Sequence, residues 1–174
     1  MSGPDCVVCC IAGSPYNCWV LSVQTSSVAE TQEFAARVAS QCQPGDLIVL
    51  IGDLGAGKTA FTQGLGRALG VAERITSPTF TLAQRYEGRL TLHHLDVYRI
   101  EQLEDSLDLA IPELLEGDTV TVMEWGDRLA PILPANYLEL RIVFGAGDDD
   151  RTIDIRCVGE AWASRTAPLV GQPC

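Results

Sequence analysis

Leu47-Ile48-Val49-Leu50-Ile51 runs straight into Gly52-Asp53-Leu54-Gly55-Ala56-Gly57-Lys58-Thr59, and this junction decides the fold. An unbroken aliphatic run that follows the Pro44-Gly45 turn and stops at a glycine suits a strand buried on both faces of a sheet. The glycine-rich segment after it fits G-x-x-x-x-G-K-(S/T) at every fixed position, between a strand and a predicted helix that reaches to about Leu69. Such a loop turns consecutive backbone N–H groups inward around an anion, and the positive end of the following helix points at the same place. A triphosphate fits that concavity. Lys58 is the only lysine among 12 basic residues, the other eleven being arginine. A compact ammonium suits the β and γ phosphates in a way that a planar guanidinium does not.

Working outward, Trp19 to Val23 reads as a short strand, and Ser27-Val28-Ala29-Glu30 has the spacing of a capping box that opens a helix. Val28, Ala35, Val38, Ala39 and Cys42 recur on one helical face up to Pro44-Gly45. Downstream of the loop, Phe80 to Tyr86 and Leu90 to Asp96 flank Glu87-Gly88-Arg89 as a β-hairpin. Residues 101–116 read as helical with a break at Pro112, and Thr119 to Met123 is another aliphatic strand. Tyr137 to Phe144 and Thr152 to Val158 form a second hairpin around Gly145 to Asp150. Strands alternating with helices, plus two hairpins, predict an α/β fold of the P-loop NTPase kind: a mixed sheet with a parallel centre, antiparallel hairpin strands and flanking helices. The expected organisation is a cysteine-containing extension over 1–20, loose in character, a P-loop domain over 21–158, and a tail over 159–174.

A magnesium ion beside a triphosphate takes hard oxygen ligands, so Thr59 is expected to offer its hydroxyl and a strand-end carboxylate to complete the set. Asp96 closes Leu90 to Leu95 and Glu124 closes Thr119 to Met123, both at the ends where strands feed ligand-bearing loops. One of the two is expected to hold the metal and the other to orient or deprotonate the attacking water. His94, two residues before Asp96, shares its face of the strand and is read as packed beside the site; His93 points the other way and receives no role.

The 174 residues predict one domain with a short appendage, and 47% apolar against 20% charged residues places the chain among globular proteins. A net charge of −11 opposes direct neutralisation of nucleic-acid phosphates. Ten acidic residues and one arginine, Arg99, lie between Asp96 and Asp127, a stretch that suits a solvated face or a docking surface for a basic partner. No apolar run reaches the ~18–20 residues of a membrane span. The first basic residue is Arg37, so the expected location is the cytoplasm, with the seven cysteines as thiols.

Guanine-reading P-loop proteins carry an N-K-x-D segment; the only asparagines here, Asn17 and Asn136, are not followed by lysine, which favours ATP. Gly52 to Thr59, Ser77-Pro78-Thr79-Phe80, His94-Leu95-Asp96-Val97-Tyr98-Arg99 and Glu124-Trp125 together resemble, in order and approximate spacing, the TsaE (YjeE) family of bacterial P-loop ATPases over roughly residues 21 to 158. The resemblance implies an ATPase needed for N6-threonylcarbamoyl modification of adenosine 37 in tRNAs that read ANN codons. It would act with a TsaD–TsaB heterodimer that makes most of the tRNA contacts. It further implies phosphate and magnesium contacts at Lys58 and Thr59, a switch-like loop at Thr79, acidic residues Asp96 and Glu124 around magnesium and water, and Trp125 beside the nucleotide. Two alternatives stay open on the residues alone: a small-molecule kinase, and a non-catalytic switch that binds ATP and changes partner affinity.

Overall fold

The computed structural model describes residues 7–9, 18–100 and 111–169. Among the described residues eight strands form one sheet: β1 (Val7–Cys9), β2 (Cys18–Thr25), β3 (Asp46–Ile51), β4 (Ala83–Tyr86), β5 (Thr91–Asp96), β6 (Thr119–Glu124), β7 (Tyr137–Phe144) and β8 (Arg151–Val158). Their spatial order is β1-β2-β8-β7-β3-β6-β5-β4. β3 pairs in parallel with both β6 and β7, and β5 pairs in parallel with β6, so the centre is parallel. The β4–β5 and β7–β8 hairpins and the β2–β8 pair add antiparallel strands on either side. This is the mixed α/β sheet expected from the sequence.

Helix α1 (Val28–Gln41) starts where the capping box places it, with the Glu30 N–H donating to Ser27 Oγ at 3.1 Å. The Glu30 carboxylate reaches back to the N–H of Ser26, one residue before the cap, at 2.7 Å. Helix α2 (Lys58–Ala68) follows the glycine loop. α1 and α2 pack together on one face, where Phe34 and Phe61 meet at 6.1 Å between ring centroids over Ile48, Leu50, Val122 and Leu140. On the opposite face Leu47, Val49 and Ile51 pack with Leu95, Met123 and Leu129. Alternate residues of β3 thus serve two separate cores, which is why its sequence is continuously aliphatic.

The structure differs from expectation in three places. The strand expected from Phe80 begins at Ala83, because Thr81 and Leu82 donate their N–H groups back to Pro78 O at 3.0 and 2.8 Å and Leu82 takes φ 62°. Within the expected loose extension, Val7–Cys9 pairs with Val20–Ser22; the remainder of residues 1–17 lies outside the described residues. Beyond Val158 the chain continues onto the core: Trp162 and Leu169 are fully buried. There Arg165 grips Asp46 with both nitrogens, at 2.6 and 2.9 Å, and donates to Gln41 O at 2.9 Å. Of the helix expected over 101–116, residues 101–110 lie outside the described residues, and α3 (Ile111–Leu114) holds Pro112 inside its single turn. No helix among the described residues is long and apolar enough to cross a membrane.

Candidate active site

The parallel pairing delivers the acidic residues to one edge. Asp96 and Glu124 are Cα partners across β5 and β6, and Glu124 is also the partner of Leu50 on β3, two residues before the glycine loop. The row continues past the strands, with Trp125 N–H donating to Leu50 O at 2.8 Å and Val97 N–H donating to Glu124 O at 3.1 Å. All three strands therefore open into loops at the same place, the C-terminal edge where α/β sheets carry their ligands.

Gly52 leaves β3 at φ 153°, and a Cβ there would stand 2.3 Å from Ile142 O on the neighbouring strand. Only glycine lets the chain turn this close to β7. Asp53, Leu54 and Gly55 form the exposed tip, and Ala56 is buried with its N–H on Asp53 O at 3.1 Å. Gly57, at φ 109°, hands the chain to α2 without a side-chain cap, so the first N–H groups of that helix remain available to an anion. The loop is braced from outside by Arg151, whose Nε donates to Ala56 O at 2.9 Å while its guanidinium lies over Phe144 at 4.6 Å.

Lys58 is buried, 5% exposed. Its ammonium donates to Gly52 O at 2.7 Å and Asp53 O at 2.9 Å, and stands 3.9 Å from the centre of the Trp125 ring. Burial holds its pKa below the ordinary lysine value, against the opposing pull of Glu124, Asp96, Asp53 and Asp127. Thr59 Oγ1 donates to Glu124 Oε1 at 2.9 Å, and the same oxygen is 2.9 Å from His94 Nε2. Asp96 belongs to a second cluster: Thr79 Oγ1 donates to its Oδ2 at 2.7 Å, Ser77 Oγ lies 3.5 Å from that oxygen, and Tyr98 N–H donates to Oδ1 at 3.0 Å. Trp125, at φ 64°, packs on Tyr98 at 5.0 Å between ring centroids.

The structure thus gathers the residues singled out in the sequence into two adjoining groups, Lys58, Thr59, Glu124 and Trp125 in one and Asp96 with Thr79 in the other. Sequence reasoning missed two contributors. Arg151 as loop brace has no local signal, since its reach to Ala56 depends on the hairpin turning over the loop. Arg128, over Tyr98 at 4.8 Å and Trp125 at 5.7 Å, is likewise set by tertiary packing. His94 as a partner of Glu124 was foreshadowed by its two-residue spacing from Asp96.

Among the described residues no cluster of three or more histidine, cysteine or acidic side chains could hold a metal on its own. The oxygen donors Thr59, Glu124 and Asp96 instead suit a hard cation that shares the oxygens of a bound phosphate, as magnesium does. The edge also exposes large apolar side chains: Leu54 (89%), Phe80 (85%), Phe144 (51%) and Tyr98 (48%). Arg99 lies over Phe80 at 4.7 Å, so each of these aromatic rings carries an arginine.

Residues 25–153 match the family model described as threonylcarbamoyl adenosine biosynthesis protein TsaE. The tRNA threonylcarbamoyladenosine biosynthesis protein TsaE of Bacillus subtilis is 40% identical over 143 residues, covering 82% of this chain and 89% of that protein. The protein of the same name from Treponema pallidum is 48% identical over 128 residues, covering 73% and 95%. The crystal structure of Bacillus subtilis YdiB superposes with a TM-score of 0.74 at 34% identity, covering 90% of this chain and 97% of that one. With a family match that spans most of its length and relatives aligned almost end to end, the chain belongs to the TsaE family.

Proposed function

We propose that this chain is a magnesium-dependent ATPase that works in the cytoplasm with a TsaD–TsaB heterodimer. Its nucleotide cycle would support N6-threonylcarbamoylation of adenosine 37 in tRNAs reading ANN codons. The observation that carries the reading is the convergence of Lys58, Thr59, Glu124 and Asp96 on one sheet edge, directly beside the glycine loop.

Loop N–H groups and the start of α2 receive the phosphates. Lys58 exchanges the carbonyls of Gly52 and Asp53 for phosphate oxygens, a trade of neutral acceptors for charged ones that strengthens each hydrogen bond. Thr59 and Glu124, already joined by the hydrogen bond from Oγ1 to Oε1, would hold the metal. Magnesium supplies neutralisation of charge on the phosphate oxygens. Asp96, fixed by Thr79 and by the Tyr98 N–H, would orient the attacking water. Trp125 forms the wall beside Lys58.

The arginine-capped aromatics at the rim have the composition of binding hot spots, and this supports a protein partner seated over the mouth of the site. An overall charge of −11 leaves tRNA mainly to that partner. The test is release of inorganic phosphate from ATP by the purified protein, alone and with TsaD–TsaB. Stimulation by the heterodimer, with loss of turnover in both Glu124→Ala and Asp96→Ala, is the expected result. Turnover that survives both substitutions would overturn the roles given to the two carboxylates, nucleotide binding without any phosphate release would leave a nucleotide-binding switch, and phosphate recovered on an acceptor metabolite would make the protein a kinase.

A further inference from the structure

His94 is a fully buried side chain on β5 that the proposed reaction does not use. Its Nε2 stands 2.9 Å from Glu124 Oε1, the oxygen that also accepts the Thr59 hydroxyl. A carboxylate oxygen only accepts, so Nε2 carries the hydrogen and donates it. Nδ1, on the far side of the ring, is buried without a hydrogen-bond partner. As core packing alone, histidine is a poor choice: an aliphatic side chain would fill the volume beside its register partner Val122 without leaving a buried nitrogen unpaired. What the imidazole adds over leucine is the one hydrogen bond to Glu124.

We propose that His94 is a positioning residue for Glu124: it fixes the rotation of that carboxylate so that Oε1 stays with Thr59 and the second oxygen is turned toward the metal and phosphate. Strand geometry sets this up. His94 and Asp96 share one face of β5, Asp96 and Glu124 are register partners, and His94 therefore lies diagonally behind Glu124, on the side away from the glycine loop. From there it touches neither nucleotide nor metal. It acts only through the carboxylate, as outer partners of metal ligands commonly do. The assignment rests on the proposed magnesium-dependent ATP site and concerns how that site is held in shape.

Three substitutions separate positioning from packing. His94→Leu keeps apolar volume and removes the donor. His94→Asn keeps a polar group that reaches only as far as Nδ1, and His94→Gln carries an amide N–H out to about the place of Nε2. Calorimetry with ADP is run in magnesium and again in EDTA, beside steady-state ATP hydrolysis and a thermal melt. The expected result is that His94→Leu and His94→Asn bind ADP in EDTA within about twofold of wild type but lose most of the affinity that magnesium adds. Their kcat should fall by about 10–100-fold while their KM for magnesium–ATP rises with the lost affinity, and His94→Gln should recover both properties to within about fivefold.

Retention of the magnesium increment in His94→Leu and His94→Asn would overturn the proposal. So would losses that follow the melting temperature in all three variants with no advantage for glutamine. If the wild-type protein binds magnesium–ADP but never hydrolyses ATP, the ATPase reading fails while the binding arm still decides the role of His94. If wild type gains nothing from magnesium, both readings fall.

Discussion

Trp162 offers the sharpest test of where this domain ends. Its indole is fully buried in the larger core and lies under the Arg165 guanidinium at 4.2 Å, in a segment with no strand or helical period to announce it. Replacing it with alanine removes ~200 Å² of buried aromatic surface, worth ~5 kcal/mol at ~25 cal/mol per Å². Two effects modify that figure. The Trp162 indole N–H is buried without a partner, so its loss returns about 1 kcal/mol, while whatever part of the cavity fails to collapse adds a cost of its own. The net expectation is a destabilisation of about 3–5 kcal/mol, or a melting point lower by about 6–20 °C for a chain of this size. Equilibrium urea denaturation followed by far-UV circular dichroism measures it, with Trp162→Phe as the companion. Phenylalanine keeps most of the apolar contact and drops the unpaired N–H, so it should cost about 1–2 kcal/mol. A loss below about 1 kcal/mol in Trp162→Ala would refute the reasoning, since a fully buried tryptophan cannot be removed that cheaply. It would mean that the segment after Val158 does not lie on the core.

Other consequences are local. Gly52→Ala places a methyl carbon 2.3 Å from Ile142 O, against backbone that cannot give way, whereas Gly57→Ala meets no atom within 4 Å and bears only the strain of φ 109°. The first should abolish nucleotide binding and lower the melting point sharply, and the second should cost about 1–3 kcal/mol; calorimetry and thermal melts of the pair check the contrast. The Cys42 thiol is pushed up to about 12 from its ordinary 9.0, by burial first and by the nearby Asp46 carboxylate second. The folded protein keeps this proton where the unfolded chain releases it. The stabilisation is therefore whole below pH 9 and lost as pH climbs toward 12, with a slope of up to about 1.4 kcal/mol per pH unit. Cys42→Ala should flatten that part of a urea-midpoint curve, and a thiol reagent at pH 8 should label Cys42 only after denaturation.

What could be read in the sequence was whatever is encoded within a few neighbouring residues. The glycine loop, its Lys58-Thr59 end, the Ser27 cap and both hairpins are local patterns, and each stands close to its expected place. The pairing of Asp96 with Glu124 is different in kind. Each was visible as a strand-end carboxylate, but only the parallel register of β5 and β6 puts them side by side. The division of partners, Thr59 and His94 on Glu124 against Thr79 on Asp96, depends on rotamers across three strands and a loop. The contact of Lys58 with its own loop carbonyls and the Trp125 ring has no sequence signature either. The segment after Val158 was illegible for a related reason. Trp162, Arg165 and Leu169 are single anchors in irregular chain, and their targets, Asp46 and the core beside α1, lie more than a hundred residues away.

The grip of Lys58 on a nucleotide's phosphates is the claim on which the account rests. Titration calorimetry of a nonhydrolysable ATP analogue in magnesium, on folded wild-type protein and on Lys58→Ala, tests it most directly. Loss of charge-assisted hydrogen bonds to the phosphates is worth about 1.5–3 kcal/mol, so wild type should bind with measurable heat and Lys58→Ala about 10–100-fold more weakly. Absence of binding by the folded wild-type protein, or equal affinity in the two, would contradict it.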